Sequence, residues 1–598
     1  MRSLLVDQLT ADYRSGLSPE TVIDEVHAAI EAADDPGIFI HLVPKATARK
    51  AARQLGAYDP AKPLWGIPFA VKDNIDVKGL PTTAGCPAFA YTAKETAFAV
   101  QRLLDAGAIL IGKANLDQFA TGLVGVRTPY PVPRNAIDPA LVPGGSSSGS
   151  AVAVSRGLVT FALGTDTAGS GRVPAALNNI VGLKPSLGLV STSGVVPACR
   201  TLDCVSVFAL TAGDAWAALD VMAGHDPQEA YSRTRGTGSR ALPPVLRVGV
   251  PSKGSLEFFG DKQAAAAFKA GVADLEALGY ATRSVDIGPL REVAELLYGG
   301  PWVAERYQAI RDFFESDPAS LHPTTRKIIG GAKKLSAADA FAGLYRLQEM
   351  QRICSEIWKS IDVLAVPTIP TVCTLQDLKA DPIGPNNRLG TYTNFVNLLD
   401  LSAIAIPSRF RSDKRAAGIT LIATGGRDGL IATLGARLHA AADVTLGATQ
   451  QRTPAAKLVP CTAPAGMIEI VAVGAHMSWL PLNHELTSQG GQFVRATTTE
   501  RSYALYALSG GPPQRPGMLR VADGDGQAIA VEVWALPPDG FGRFVAGIPA
   551  PLGIGTIRLE GGTQAKGFLV EPQGVVGAKD ISHFGGWRQY IAANDKTA

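Results

Sequence analysis

Charge of either sign is thin along this chain. Lys and Arg number 56 against 53 Asp and Glu, a net of +3 over 598 residues. No long basic or acidic run stands out, which argues against nucleic acid or an anionic membrane as the main partner. Six cysteines (Cys86, Cys199, Cys204, Cys354, Cys373 and Cys461) occur without a CxxC pair, so neither a disulfide framework nor a zinc site is expected. No run of 18 apolar residues is unbroken, so no membrane-spanning helix is expected. The opening "MRSLLVDQLTADYRSG" meets charge and glycine too early for a secretory signal. The expectation is a soluble cytoplasmic protein. What the chain does have is apolar content: 46% hydrophobic against 18% charged residues, enough for sizeable cores, at a length that calls for more than one domain.

The first part reads as helix alternating with short buried strand. "SPETVIDEVHAAIEAADD" has a serine cap, proline at the first helical position and apolar residues at helical spacing. "LWGIPFAVKDNID" reads as a buried strand running into a loop, and "ETAFAVQRLLDAGAILIGKANLDQFA" as a helix, a glycine break and a second strand. That alternation predicts an α/β core. Residues 441–466 lose all periodicity and read as a linker. Beyond it, runs such as "MIEIVAVGAHM" and "GMLRVADGDGQAIAVEVWAL", separated by Gly, Asp and Pro turns, predict a smaller β-rich domain over 467–598.

The stretch "PGGSSSGSAVAVSRGLVTFALGTDTAGSGR" (143–172) admits three readings. A flexible linker is disfavoured because it runs directly into a helix-like and then a strand-like segment. A phosphate cradle lacks the Lys that must follow the last glycine of a P-loop. A nucleophile remains, in two versions. Gly145-Ser146-Ser147-Ser148-Gly149 fits GxSxG, with Ser147 as the elbow serine, but the preceding "RNAIDPALVPGG" makes a poor strand. Alternatively the base is not a histidine: none lies between His41 and His225, whereas Lys72 sits at the end of an apolar strand. A buried lysine loses its charge and becomes able to take a proton, the alternative being a surface Lys beside Asp73.

"GIPFAVKDN", "PGGSSSGSA", "GTDTAGSGRVPAALNNIVGLKPS" and "DVLAVPTIP" (362–370), in this order, resemble the amidase signature family over roughly residues 1–440. The resemblance implies a central mixed β-sheet covered by helices and a Ser-cisSer-Lys triad: Ser170 as nucleophile, Ser146 as bridging serine after a cis peptide, Lys72 as terminal base. Ser146 and Ser170 lie 24 residues apart, the spacing usual in the family. Backbone N–H groups of Thr167, Ala168 and Gly169 would form the oxyanion hole.

Where many members read Gly-Gly-Ser-Ile-Arg, this chain reads Ala168-Gly169-Ser170-Gly171-Arg172. With "ANLDQFATGLVGVRTPY" (114–130), "GVVPACRTLDCVSVFA" (194–209) and "YGGPWVAERY" (298–307), the text is similar to the allophanate hydrolases within that family. The likeness implies Tyr298 and Arg306 as substrate contacts, Arg306 gripping a carboxylate in a bidentate pair. Gly122 would be a further contact, and Arg172 either a second anion contact or a structural ion pair. "VAVGAHMSWLPLNHEL" (471–486), "VEVWALP" (531–537) and "PLGIGTIRLEGG" (551–562) resemble the extra domain of these enzymes. That implies an α+β fold akin to γ-glutamyl cyclotransferase and a role in decarboxylating N-carboxycarbamate, with His476 and Glu532 as candidate residues. His476 and His484, eight apart without a carboxylate cluster, give no metal site. The resemblance further implies no cofactor, a homodimer, allophanate as substrate and a functional link to urea carboxylase. The rival expectations are a simple amidase, the amidase subunit of a tRNA amidotransferase, and a catalytically dead scaffold.

Overall fold

The computed structural model describes residues 2–234, 236–456 and 461–595, which form two compact units. The first unit comprises residues 2–234, 236–237 and 247–456, and the second residues 238–246 and 461–595.

The first unit is built on an eleven-stranded mixed sheet. From one edge its strands are Phe39–Leu42, Ile109–Ala114, Pro68–Lys72, Phe161–Asp166, Cys204–Ala209 and Val181–Lys184. The order continues with Leu401–Pro407, Gly418–Thr424, Val363–Pro367, Arg247–Pro251 and Ala281–Val285. Pro68–Lys72 is parallel to both of its neighbours, and every residue in it is buried. A strand covered on both faces must be apolar throughout, which explains the uninterrupted "PFAV" before the lysine.

The helices follow their predicted signals. Pro19–Ala33 starts where Ser18 Oγ accepts the Glu20 N–H, buries Val22, Ile23 and Val26, and stops where Asp34 turns left-handed. The serine-rich stretch splits into the helix Ser148–Ser155 and the strand Phe161–Asp166. All eight residues of that helix are buried, and only small side chains let it lie so deep.

The segment expected to be a linker begins as packed chain. Asn179 Nδ2 donates to the carbonyls of Thr445 and Gly447, and Ala448 N donates to Ser155 O. The second unit holds a five-stranded sheet ordered Gln492–Thr498, Ala530–Leu536, Ile468–Ala472, Gln564–Val570, Leu552–Arg558, and a three-stranded sheet of Pro516–Arg520, Tyr503–Ala507 and Lys579–Asp580. Its core gathers Val471, Leu486, Trp534, Phe568 and Trp587. Among the described residues no helix is long and apolar enough to cross a membrane.

Candidate active site

Lys72 closes its strand opposite Ala114, at the C-terminal ends of three parallel strands, where loops that carry chemistry collect in such sheets. Its side chain is wholly buried. Nζ donates to Ser146 Oγ and to Thr165 Oγ1, each at 2.7 Å. Burial penalises the ammonium and brings the amine from the ordinary lysine range down to about 7, against the upward pull of Asp117, Asp203 and Asp166. Near neutrality a large fraction of Lys72 is therefore a free base. Next to it, Asp73 pairs with Lys113 at 3.1 Å, both fully buried, and so neutralises the second lysine of the neighbourhood.

Ser146 follows a cis Gly145–Ser146 peptide. Gly145 N donates to Leu123 O at 2.8 Å, and Ser146 O accepts from Asp117 N at 2.9 Å. A Cβ at Gly145 would collide with the Asp117 carboxylate and Gly125 N, so glycine is required there. Ser147, the GxSxG candidate, is spoken for: its Oγ donates to Thr165 O (3.3 Å) and stands 3.4 Å from Thr165 N. No strand leads into it, so the strand-turn-helix setting of a nucleophile elbow is not met.

Ser170 lies buried in the loop after Phe161–Asp166. Arg172 buckles this loop. Its Nε and Nη2 meet the two oxygens of Asp166 at 2.8 and 2.9 Å, Nη1 donates to Thr393 O, and Gly171 N also donates to Asp166. Burial would raise the Asp166 carboxyl, yet the Arg172 charge and hydrogen bonds hold it below the usual range. Arg172 is thus a structural ion pair; the alternative of an anion contact is set aside because its fork is filled by protein. The Thr167 hydroxyl donates to Asp203, which also takes the N–H groups of Ala198 and Cys199. Among the described residues, no protein acceptor takes the N–H of Thr167, Ala168, Gly169 or Ser170. Gly169 has φ +149°, and a side chain there would run into Thr393. A loop of this kind presents several unclaimed donors in a water-poor site, as stabilisation of an oxyanion demands.

Arg306 comes from the helix Trp302–Ala309 and is 2% exposed. It stands over the Tyr298 ring at 5.2 Å and makes only long bonds: Nη2 to Tyr298 Oη at 3.4 Å, Nη1 to Thr121 Oγ1 at 3.3 Å and Ala120 O at 3.4 Å. Among the described residues its buried Nε has no partner, and no carboxylate pairs with it. Its positive charge lowers the pKa of Lys72, so the two belong to one electrostatic neighbourhood. Gly122 packs beside this arginine's partner Thr121, where a Cβ would come 2.5 Å from Asp117 Oδ2.

In the second unit, His476 stacks on Phe568 (centroids 4.8 Å apart), meets Phe544 edge-on and binds Glu485 through Nε2 at 2.8 Å. Burial lowers its pKa, partly offset by Glu485. Glu532 is buried and saturated: it accepts from Ser478 N (2.6 Å), Ser478 Oγ (2.8 Å), Trp534 Nε1 (3.1 Å) and Arg588 Nη2 (2.8 Å).

Sequence reasoning missed Thr165, Asp117, Arg127 and Asp203. Their roles depend on partners 29 to 93 positions away, apart from Arg127, which contacts Asp117 within the same loop. The available signal was that all four lie inside the stretches quoted for the resemblance.

The Amidase family model matches residues 21–431, and the Allophanate hydrolase C-terminal domain matches residues 468–592. The chain is 44% identical to a urea amidolyase of Saccharomyces cerevisiae, over 88% of this chain and 30% of that one. It is 34% identical to a glutamyl-tRNA(Gln) amidotransferase subunit of Deinococcus deserti, over 74% of this chain and 96% of that one. The chain thus spans about a third of the length of the urea amidolyases it matches. Among solved structures, the allophanate hydrolase of Kluyveromyces lactis superimposes with a TM-score of 0.81 at 41% identity, covering 98% of this chain and 99% of that one.

Proposed function

From the premise that this chain belongs to the amidase family and carries an allophanate hydrolase C-terminal domain, we propose that it hydrolyses allophanate at the amide. Lys72, in its neutral form, takes a proton from Ser146 as Ser146 takes the one from Ser170. Ser170 Oγ then bonds to the amide carbon, and the oxyanion is received by the N–H groups around Thr167, Ala168 and Gly169. The protonated relay returns a proton to the departing nitrogen, ammonia leaves, and water attacks the acyl-enzyme to release N-carboxycarbamate. The second domain assists loss of carbon dioxide from that product, with His476 beside it. We assign the first domain to residues 1–440 and the second to 467–598, and place the enzyme in the cytoplasm, as a homodimer without cofactor, downstream of a urea carboxylase. The urea amidolyase relatives support that last link.

One observation carries the substrate class: Arg306 is a fully buried cation with no carboxylate partner among the described residues and an unclaimed Nε. A guanidinium held this way, always charged, is suited to a substrate that brings its own carboxylate. Likeness to the tRNA amidotransferase protein takes in 96% of that protein but only 74% of this chain, whose residues 468–592 match the allophanate hydrolase C-terminal domain.

The test is ammonia release from allophanate and from the neutral amide acetamide by the wild type, Ser170→Ala and Arg306→Met. Turnover of allophanate, abolished in Ser170→Ala and lowered about 100-fold or more in Arg306→Met, is the expected result for losing the nucleophile and a charged hydrogen-bond partner. Turnover of acetamide alone would overturn the assignment.

A further inference from the structure

The base relay and the buried guanidinium are joined by one continuous set of hydrogen bonds within a single loop. Asp117 N donates to Ser146 O at 2.9 Å. The Asp117 carboxylate takes Gly125 N at 2.9 Å and Arg127 N at 2.8 Å. Arg127 Nη1 donates to Thr121 O at 3.0 Å and Nη2 to Pro382 O at 3.1 Å. Thr121 Oγ1 accepts from Arg306 Nη1 at 3.3 Å. Asp117, Thr121 and Arg127 are all buried.

Two further observations set this loop apart from ordinary packing. Phe119 and Ala120 both take left-handed backbone conformations, φ +51° each, which side-chain-bearing residues adopt only where the surroundings impose it. The Ala120 carbonyl is one of the acceptors of Arg306. Secondly, Arg127 is a second buried guanidinium, in the electrostatic neighbourhood of Asp117, Tyr298 and Arg306; the Asp117 carboxylate is its nearest counter-charge, although among the described residues no salt bridge joins the two. Thr121 thus stands between the two guanidinium groups, its carbonyl taken by Arg127 and its hydroxyl by Arg306. Asp117 offsets the charge of Arg127, which leaves Arg306, with its buried Nε unclaimed, as the cation open to an anion from outside the protein.

We propose that Thr121 and Arg127 are specificity-determining positioning residues: they fix Arg306 relative to Ser146, so that gripping a substrate carboxylate brings the amide carbon into register with the serine relay. The inference rests on the reading of Arg306 as the carboxylate contact. Neither residue needs to touch the amide. Thr121 steers Arg306 through a hydroxyl, and Arg127 holds the Thr121 backbone.

The experiment compares kcat/KM for allophanate with that for biuret, which carries the same amide but a neutral carboxamide in place of the carboxylate. Wild type, Thr121→Val, Thr121→Ser and Arg127→Lys are measured, with thermal unfolding as the folding control. Thr121→Val keeps the branched shape and loses the hydroxyl; Thr121→Ser restores it. Expected is a fall of about tenfold in the allophanate-to-biuret ratio for Thr121→Val, carried by KM, and recovery in Thr121→Ser. Arg127→Lys keeps the charge but replaces the planar fork, whose two arms reach Thr121 O and Pro382 O, by a single ammonium nitrogen, and its ratio falls as well. An equal loss on both substrates, or an unchanged ratio in Thr121→Val, overturns the proposal. A wild type that shows no preference for allophanate instead overturns the reading of Arg306 beneath it.

Discussion

Lys72 Nζ and Ser146 Oγ face each other at 2.7 Å in a site with no measurable exposure, although the two residues are 74 positions apart. A lysine can act as a base only if its charge is removed, and here burial does that. The pH dependence follows. With the amine at about 7, the neutral fraction falls as pH drops, so kcat/KM should lose about tenfold per unit below that point and level off above it. Arg306 pushes the amine down, so Arg306→Met should move the acid limb of a neutral-amide profile to higher pH. A limb that stays in place would mean that the lysine is not the titrating base.

The two neighbouring serines separate the rival readings of the serine-rich stretch. Ser146→Ala removes the relay and should cost 100-fold or more, roughly the range of general acid–base catalysis. Ser147→Ala loses only two long bonds to Thr165, worth about 1 kcal/mol of stability, and should keep activity within a few-fold. A serine-directed probe, read by mass spectrometry, should label Ser170 in the Ser147→Ala protein. Label on Ser147 in the wild type would reinstate the elbow reading.

Arg172 offers a sharper division between structure and binding. Breaking a fully buried bidentate pair leaves an uncompensated charge, so Arg172→Met should cost about 3–5 kcal/mol in denaturant unfolding. The double variant with Asp166→Leu should cost less than the sum of the two singles, because no buried charge is left alone. An anion contact would behave differently: stability would hold and KM for allophanate would rise.

These cases also mark what could be read before folding. The strand that ends in Lys72, the helix opened by Ser18 and the β-rich second part were legible because periodicity and capping are local. That Arg172 could serve in a structural ion pair was legible too, but not its partner: Asp166 lies six positions earlier at the end of a strand, and the loop has to turn back for the two to meet. Thr165 as the second partner of Lys72 was not: it meets the amine only because parallel strands align Val71 with Leu163. The same holds for Asp117 beneath Gly145, a contact set by two loops packing without side-chain space between them. Residues 238–246, which join the second unit, carry no pattern of their own; Ser239 N is held there by Gln492.

Glu532 and His476 were paired as candidates, yet their surroundings assign them different work. Four donors already occupy the Glu532 carboxylate, and two of them belong to Ser478, two residues beyond His476. Glu532→Gln places an amide N–H against some of those donors, so it should lower stability by about 3 kcal/mol or more, with Arg588 keeping its bonds to Ser478 but losing its carboxylate. Among the described residues the His476 ring bonds to Glu485 alone and rests on Phe568 and Phe544, so His476→Ala should cost less, about 1–2 kcal/mol from lost aromatic contact. Its expected effect is on the order of events. In the proposed reaction, hydrolysis of the amide frees the first ammonia; N-carboxycarbamate then takes up a proton and loses carbon dioxide to give carbamate, and carbamate takes up a proton and loses carbon dioxide in turn to free the second. In His476→Ala the first ammonia should appear at the normal rate and the second should lag behind it. If both appear together as in the wild type, His476 has no part in the second step, and the turn anchored by Glu532 is architecture alone.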